Sequence, residues 1–237
     1  MGKSLIQQAR GKGGPSYRAR SHAYLGVAKL RPLSDKLLKG KITDIVKCPG
    51  HMAPLIEVDF EDGVSCLMQA PEFIKVGDIL QAGPGSEVNP GNILPLREIP
   101  EGTPIFNIES QPGDGGKFCR TSGTVARIVS KTESYAVVML PSKKERTFNS
   151  KCRACVGIIA GSGRKDKPYL KAGVRHFAKR AKNKRYPMIS AAAQNAVDHP
   201  FGNKRTSRKA KQKAVGHFAP PGRKVGKLWP RRTGRKK

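Results

Sequence analysis

Between residues 41 and 160 the chain carries short runs in which apolar and polar residues alternate, the period of two that marks half-buried strands. The first series begins at 41–47, around Ile42 and Ile45-Val46, and continues at 55–60. Glu61-Asp62-Gly63 is a hairpin turn leading into 64–68, and 73–80 supplies a turn between two further short strands. Strands of this length and spacing predict a small closed barrel of the OB type. Residues 84–104 are rich in Gly and Pro (Pro84-Gly85, Pro90-Gly91, Pro95, Pro100, Gly102) and read as a linker. A second series follows at 104–109, 123–130, 134–140, 145–149 and 156–160, with Pro141-Ser142-Lys143-Lys144 as a hairpin turn and Gly161-Ser162-Gly163-Arg164 as closure. It predicts another small β-barrel.

Outside the barrels the period changes or vanishes. Between Lys171 and Lys184, Val174, Phe177, Ala178 and Ala181 fall at helical spacing, and Pro187 stops any such helix. From Gln7 to Arg31, Gly and Pro predict an arm without regular structure, and from Lys204 on the chain has neither period. The fold class is therefore an all-β core with a short basic helix and extended basic N- and C-terminal arms. The 26 Gly and 18 Pro of the 237 residues suit short strands and turns and argue against a helical bundle.

Charge sharpens this division. The formal net charge of +29 points to a polyanionic partner. Residues 1–41 hold ten Lys/Arg against Asp35, whereas 42–116 hold three against twelve acids. Residues 117–163 are net basic, and 164–237 carry 24 basic residues against Asp166 and Asp198. The broad surface of the first barrel is thus too acidic for nucleic acid, and the basic ends are arms that cannot bury a core of their own. No apolar run reaches the length of a spanning helix, so no membrane role is expected. Met1–Ile6 lacks the apolar block of a signal peptide, and Ile6 stands where a myristoylation site wants Ser or Thr. Five cysteines without secretory context argue against a disulfide framework and for a cytoplasmic protein.

The most specifically shaped stretch of the basic region is 195–203, Asn-Ala-Val-Asp-His-Pro-Phe-Gly-Asn. Pro200 biases His199 toward an extended conformation, and Gly202 permits a tight turn or a close backbone approach, so the stretch reads as a rigid loop presenting Asn195 and His199. Asp198-His199 resembles acid–base equipment, but no Ser or Cys nucleophile accompanies it, and a histidine bonded within a turn or to RNA is the plainer reading. Gly113-Asp114-Gly115-Gly116-Lys117 lacks the spacing of a phosphate loop, with Phe118 where Ser or Thr belongs, and reads as a glycine turn that lets an RNA backbone approach. Cys152-Arg-Ala-Cys155 and Cys48-Pro-Gly-His51 have the spacing of zinc half-sites, set against small core cysteines as the bland alternative. No metal or cofactor is otherwise expected, magnesium entering only through RNA.

The RNA-contact candidates follow. They are Arg10, Lys12, Arg18, Arg20 and His22 in the N-terminal arm, where Tyr17 and Tyr24 interleave, with Lys117 and Arg120 beside the glycine turn and Arg164 after the second barrel. Lys171, Arg175, Lys179, Arg180, Lys184 and Arg185 belong to the helical stretch, and Asn195, Asp198, His199 and Gly202 to the loop. Lys204, Arg205, Arg223, Lys224, Arg231 and Arg232 lie in the C-terminal extension. Cations on such arms neutralise phosphates, and His or aromatic rings stack on unpaired bases.

With these pieces in order the chain resembles the family of universal ribosomal protein two of the large subunit, in its archaeal form. The resemblance is carried by Pro49-Gly50-His51-Met52-Ala53-Pro54, Pro90-Gly91-Asn92-Ile93-Leu94-Pro95-Leu96, Pro112–Lys117, Cys152-Arg153-Ala154, the Asn195–Gly202 loop and Pro220-Pro221-Gly222-Arg223-Lys224-Val225-Gly226. It implies an OB-like barrel at 37–97 and an SH3-like barrel at 98–170, between an arm at 1–36 and an extension at 171–237. It also implies a structural, non-enzymatic ribosomal protein that contacts large-subunit ribosomal RNA near the peptidyl-transferase region, beside neighbouring ribosomal proteins and across from the small subunit. It would support subunit association, tRNA binding and translation, with no small-molecule substrate, and His199 would be a structural RNA contact. Where the family usually has Met-Asn before this loop and several glycines after it, the chain has Gln194-Asn195 and Gly202-Asn203-Lys204. Two rival readings are a general nucleic-acid-compacting protein, which needs no shaped loop, and a zinc-dependent enzyme acting on RNA.

Overall fold

Alternation of buried and exposed side chains sets the first half of the fold, a computed structural model that describes residues 6–199 and Gly202. Contacts divide it into two units. One holds the described residues up to Arg18 and from Asn183 on; the other is Ala19–Lys182. In the first unit, α1 (Ile6–Gly11) uses the good helix formers Gln, Ala and Arg, and Gly13 at φ 69° ends it, its N–H donating to Arg10 O at 3.1 Å. A short 3₁₀ turn, Pro15–Tyr17, follows. The Gly/Pro content of this stretch had predicted no regular structure, but Gly and Pro here bracket the turns instead of filling them.

The larger unit is built on β1 (Leu38–Val46), which pairs antiparallel with β2 (Leu55–Phe60); β2 in turn pairs with β3 (Ser65–Gln69). The β2–β3 turn is the expected one: Gly63 sits at φ 78°, where a side chain is strained, and Phe60 N–H donates to Val64 O at 3.1 Å. On its other edge β1 pairs with β4 (Ile79–Ala82), which touches β5 (Ile93–Pro95) in parallel. β6 (Pro104–Phe106), β7 (Ala126–Lys131), β8 (Tyr135–Met139) and β9 (Glu145–Asn149) form an antiparallel series, and β10 (Arg153–Val156) inserts between β5 and β6. Among the described residues the strands form one ten-stranded sheet. It is an all-β fold, an OB-like barrel followed by an SH3-like barrel.

Two cores lie against this sheet, and the middle strands serve both. Ile93, Phe106 and Cys155 pack into the first with Ile42, Ile56, Val58 and Met68. Their strand neighbours Leu94, Ile105, Ala154 and Val156 pack into the second with Ile108, Ile128, Val138 and Phe148. The period of two thus turns alternate side chains of β5, β6 and β10 to opposite cores. After β3 the chain closes on the segment following β10, Glu72 N–H donating to Ile158 O and Ala160 N–H to Ala70 O, both at 2.9 Å.

Several boundaries depart from the pattern. Residues 84–104, read as a linker, contain β5 and the buried Leu94, Leu96 and Ile99; their Gly and Pro turn a strand buried on both faces, which alternation cannot reveal. Residues 73–80 yield one strand rather than two, and Phe73 stands fully exposed at φ 63°. The last strand is β10 and not 156–160, because Gly157 at φ 111° breaks away from it. Ala28–Arg31, expected in a free arm, is buried apart from Lys29: Lys29 N–H donates to Leu67 O at 2.8 Å and Leu30 N–H to Gly115 O at 3.0 Å. The helix is where its period placed it, as α2 (Ala172–Ala181), with Lys179 and Arg180 in its last turn, where cations complement the helix dipole. No residue of α2 is buried.

Candidate nucleic-acid interface

The glycine stretch after β6 is shaped by a carboxylate of its own chain. Glu109, fully buried, accepts from Gly113 N–H and Gly115 N–H at 3.2 Å, while Gly116 N–H donates to Asp114 at 3.0 Å. These amides, which a phosphate would need, are already engaged. Gly116 lies at φ 89° where a Cβ would press on Asn107, and a Cβ on Gly115 would meet the Lys29 side chain at 3.2 Å. At both glycines the missing side chain makes room for the protein's own Lys29 and Asn107, whereas at Gly113 the space is open.

Glu109 is held in turn by Arg153, which is 6% exposed. Its Nη2 donates to Oε1 at 2.6 Å, its Nε to both oxygens at 3.2 Å, and its backbone N–H to Oε2 at 2.9 Å. Nη1 donates to the Arg31 and Pro32 carbonyls at 2.9 and 3.3 Å. One ion pair thus clamps the glycine turn, β10 and the N-terminal segment. The signal in the sequence was an Arg standing inside an otherwise apolar strand.

The cations expected at RNA fall into different settings. Arg10, Lys12, Arg18, Arg20 and His22 are exposed, Arg18 Nε donating to Gly13 O at 2.7 Å. Lys117 is exposed, but Arg120 turns inward to the Ala28 carbonyl, and burial lowers its pKa, opposed by Asp114. Arg164 is exposed and lies against Ser122 and Met52 Sδ. Lys171, Arg175, Lys179 and Arg180 ring α2, with the Arg175 guanidinium 6.0 Å from the centre of the Tyr169 ring. Lys184 is exposed and Arg185 half-buried.

In the 195–202 loop the backbone folds back on Asn195. Asp198 N–H and His199 N–H both donate to its carbonyl, at 3.0 and 3.1 Å, and Gly202 N–H donates to His199 O at 2.9 Å. Asn195 and Asp198 are exposed, whereas His199 is 4% exposed and so is buried instead of presented. A Cβ at Gly202 would overlap the Gln194 and Asn195 carbonyl oxygens, so the predicted close approach is real and its partner is the chain itself. Arg185, Gln194, Asp198 and His199 share the lining of a cavity of about 90 Å³ with Ile6, Met188, Ile189 and Ala191. Lys204, Arg205, Arg223, Lys224, Arg231 and Arg232 lie outside the described residues.

The zinc half-sites do not converge. Cys155 is in the first core, Cys152 in the second, and Cys48 in a third small cluster with Ala28 and Leu55. Among the described residues no three His, Cys, Asp or Glu side chains gather around a common point. Burial pushes the Cys152 thiol up to about 11 and Cys155 higher still.

His51 packs near Tyr24, ring centres 6.3 Å apart, with its Nδ1 buried and unbonded. Its pKa is lowered by burial and then by the Arg120 charge. The neutral ring therefore belongs to the folded state, and the unfolded chain takes up the proton first as pH falls. The contribution of His51 to stability is expected to be level above about pH 7 and to decline as pH drops through the ordinary histidine value near 6.5. Urea melts of the wild type and a His51→Gln variant check this; an equal slope in both would assign the decline elsewhere.

An OB-like barrel and an SH3-like barrel sharing strands, with the chain's excess cations outside an acidic first barrel, define a two-barrel protein with basic extensions. Residues 89–218 match the family described as Ribosomal Proteins L2, C-terminal domain. Over its whole length the chain is similar to the large ribosomal subunit protein uL2 of Methanothermobacter thermautotrophicus, 47% identical with 100% of both chains covered. It is 46% identical to uL2 of Methanopyrus kandleri, over 99% of this chain and 98% of the relative, and 45% identical to that of Archaeoglobus fulgidus, over 99% of each. The chain belongs to the uL2 family of large ribosomal subunit proteins.

Proposed function

We propose that the protein is a structural, non-catalytic component of the large subunit of the cytoplasmic ribosome, with the barrels of residues 37–97 and 98–170 as a platform. It binds ribosomal RNA near the peptidyl-transferase region and supports subunit association, tRNA binding and translation. The observation that carries this reading is the separation of charge: twelve acids on 42–116, and almost none among the cations of α2, the Asn195–Gly202 loop and the sequence beyond. Cations in such excess over acids neutralise phosphates and release counterions, so affinity falls steeply with salt, by about 0.7 to 0.9 in log–log slope per phosphate contact. His199 acts through the shape of its turn, leaving Asn195 and the flanking cations to face RNA.

The test is sedimentation of an extract in a magnesium-containing gradient, a high-salt wash, and detection of the protein. It is expected to stay with the large subunit through the wash. Release with DNA or as free protein would favour general compaction, and RNA-cleaving activity with bound zinc, away from ribosomes, would favour an enzyme.

A further inference from the structure

Phe118, which follows the glycine turn and Lys117, has no part in the clamp around Glu109. Its ring meets Phe148 edge-on, centres 5.2 Å apart at 75°, and the Arg146 guanidinium lies 4.5 Å from its centre and 5.5 Å from that of Phe148. The register explains the position. Arg146 opposes Val138, and Phe148 opposes Ala136, so Arg146 is on the core-facing side of β9, one residue into the strand, at the rim of the second core. Phe148 is buried, Phe118 half-buried and Arg146 exposed, so one face of the guanidinium rests on the rings and the head remains open to solvent.

Arg31 offers the comparison: it too lies over a phenyl ring, that of Phe60 at 5.0 Å, but it donates to Asp62. The Arg146 guanidinium has no carboxylate or carbonyl acceptor among the described residues. Lys143 and Lys144, both exposed, stand in the β8–β9 turn, where Lys143 holds φ 60° and its N–H donates to Leu140 O at 2.8 Å; Glu145, between them and Arg146, opposes Met139 and so falls on the other face of β9. A planar cation backed by aromatic rings, with its donors free and two ammonium groups on a fixed turn beside it, matches an unpaired nucleobase with its flanking phosphates.

We propose that Arg146 on Phe118, with Lys143 and Lys144, is a nucleotide-binding site of the second barrel that takes one unstacked base of single-stranded RNA. The base stacks on the open face of the guanidinium, and the lysines hold the phosphates on either side. This rests on the ribosomal RNA reading above, but on residues apart from the basic extensions.

The full-length chain is titrated against protein-free large-subunit ribosomal RNA over a salt series. Arg146→Lys, which keeps the charge and loses the plane, is expected to weaken binding about tenfold with the salt slope unchanged. Lys143→Ala with Lys144→Ala is expected to lower the slope by about 0.7 for each lysine. Because Arg146 also caps the core rim, thermal melts accompany the titration. Acetylation of wild-type large subunits gives a readout independent of folding: Lys143 and Lys144 are protected in the particle and exposed after nuclease digestion. Wild-type affinity for Arg146→Lys overturns the stacking site. So do lysines that react freely in the particle, or that stay protected after nuclease, which would mean a protein neighbour covers them. Failure of the wild type to bind this RNA overturns the functional reading as well, so the two failures are told apart.

Discussion

Glu109→Ala is expected to destabilise the barrel unit by about 3–5 kcal/mol, enough to leave much of the chain unfolded at ordinary growth temperatures. The loss is not that of a single contact. Removing the carboxylate leaves the buried Arg153 guanidinium without its counter-ion, and it leaves the amides of Gly113, Gly115 and Arg153 without acceptors. Glu109→Gln separates the two contributions. The amide oxygen can still accept one or two of these bonds, but the charge of Arg153 stays uncompensated, so an intermediate loss is expected. Chemical denaturation of both variants checks this, and losses below about 1 kcal/mol would show that the pair is dispensable. Replacing Glu109 and Arg153 together by apolar residues of similar volume is expected to recover much of the loss, since an unpaired buried charge costs more than an absent pair.

The second large effect is functional. In Gly202→Val the branched side chain meets the carbonyl oxygens of Gln194 and Asn195, and the turn that buries His199 cannot close. Overpacking of this kind costs about 1–3 kcal/mol, borne by the loop. Melting of the barrel unit is expected to be unchanged, while incorporation into large subunits falls about tenfold or more in competition with the wild type. Equal incorporation would sink the idea that the shape of this loop matters to assembly. Gly202→Ala, with one methyl group, is expected to fall between the two.

What could be read in the sequence was whatever is decided locally. The turns at Glu61–Gly63 and Pro141–Lys144 were legible because a positive φ or a fixed proline is a property of one or two residues. The strands around them were legible from their alternation, and α2 from its period. The Ile93–Pro95 strand was not, since a strand covered on both faces has no alternation and its flanking Gly and Pro imitate a linker. The Glu109–Arg153 pair joins residues 44 apart, and only the sheet register brings them together. The same holds for Arg146 on Phe118. At the candidate site, the region and its basic character came from composition, and the need for Gly202 from its lack of a side chain. The inward turn of His199 did not, because burial is settled by what folds over a residue and not by the residue itself.

The strands that face two cores have a consequence for how the protein can fail. A side chain lost from β5 or β10 loosens the barrel it enters and also shifts the strand that the other barrel leans on. Damage at Cys155 is therefore felt at Ala154 and Val156 on the opposite side. The two cores are therefore expected to melt together, as a single transition in calorimetry, rather than one after the other.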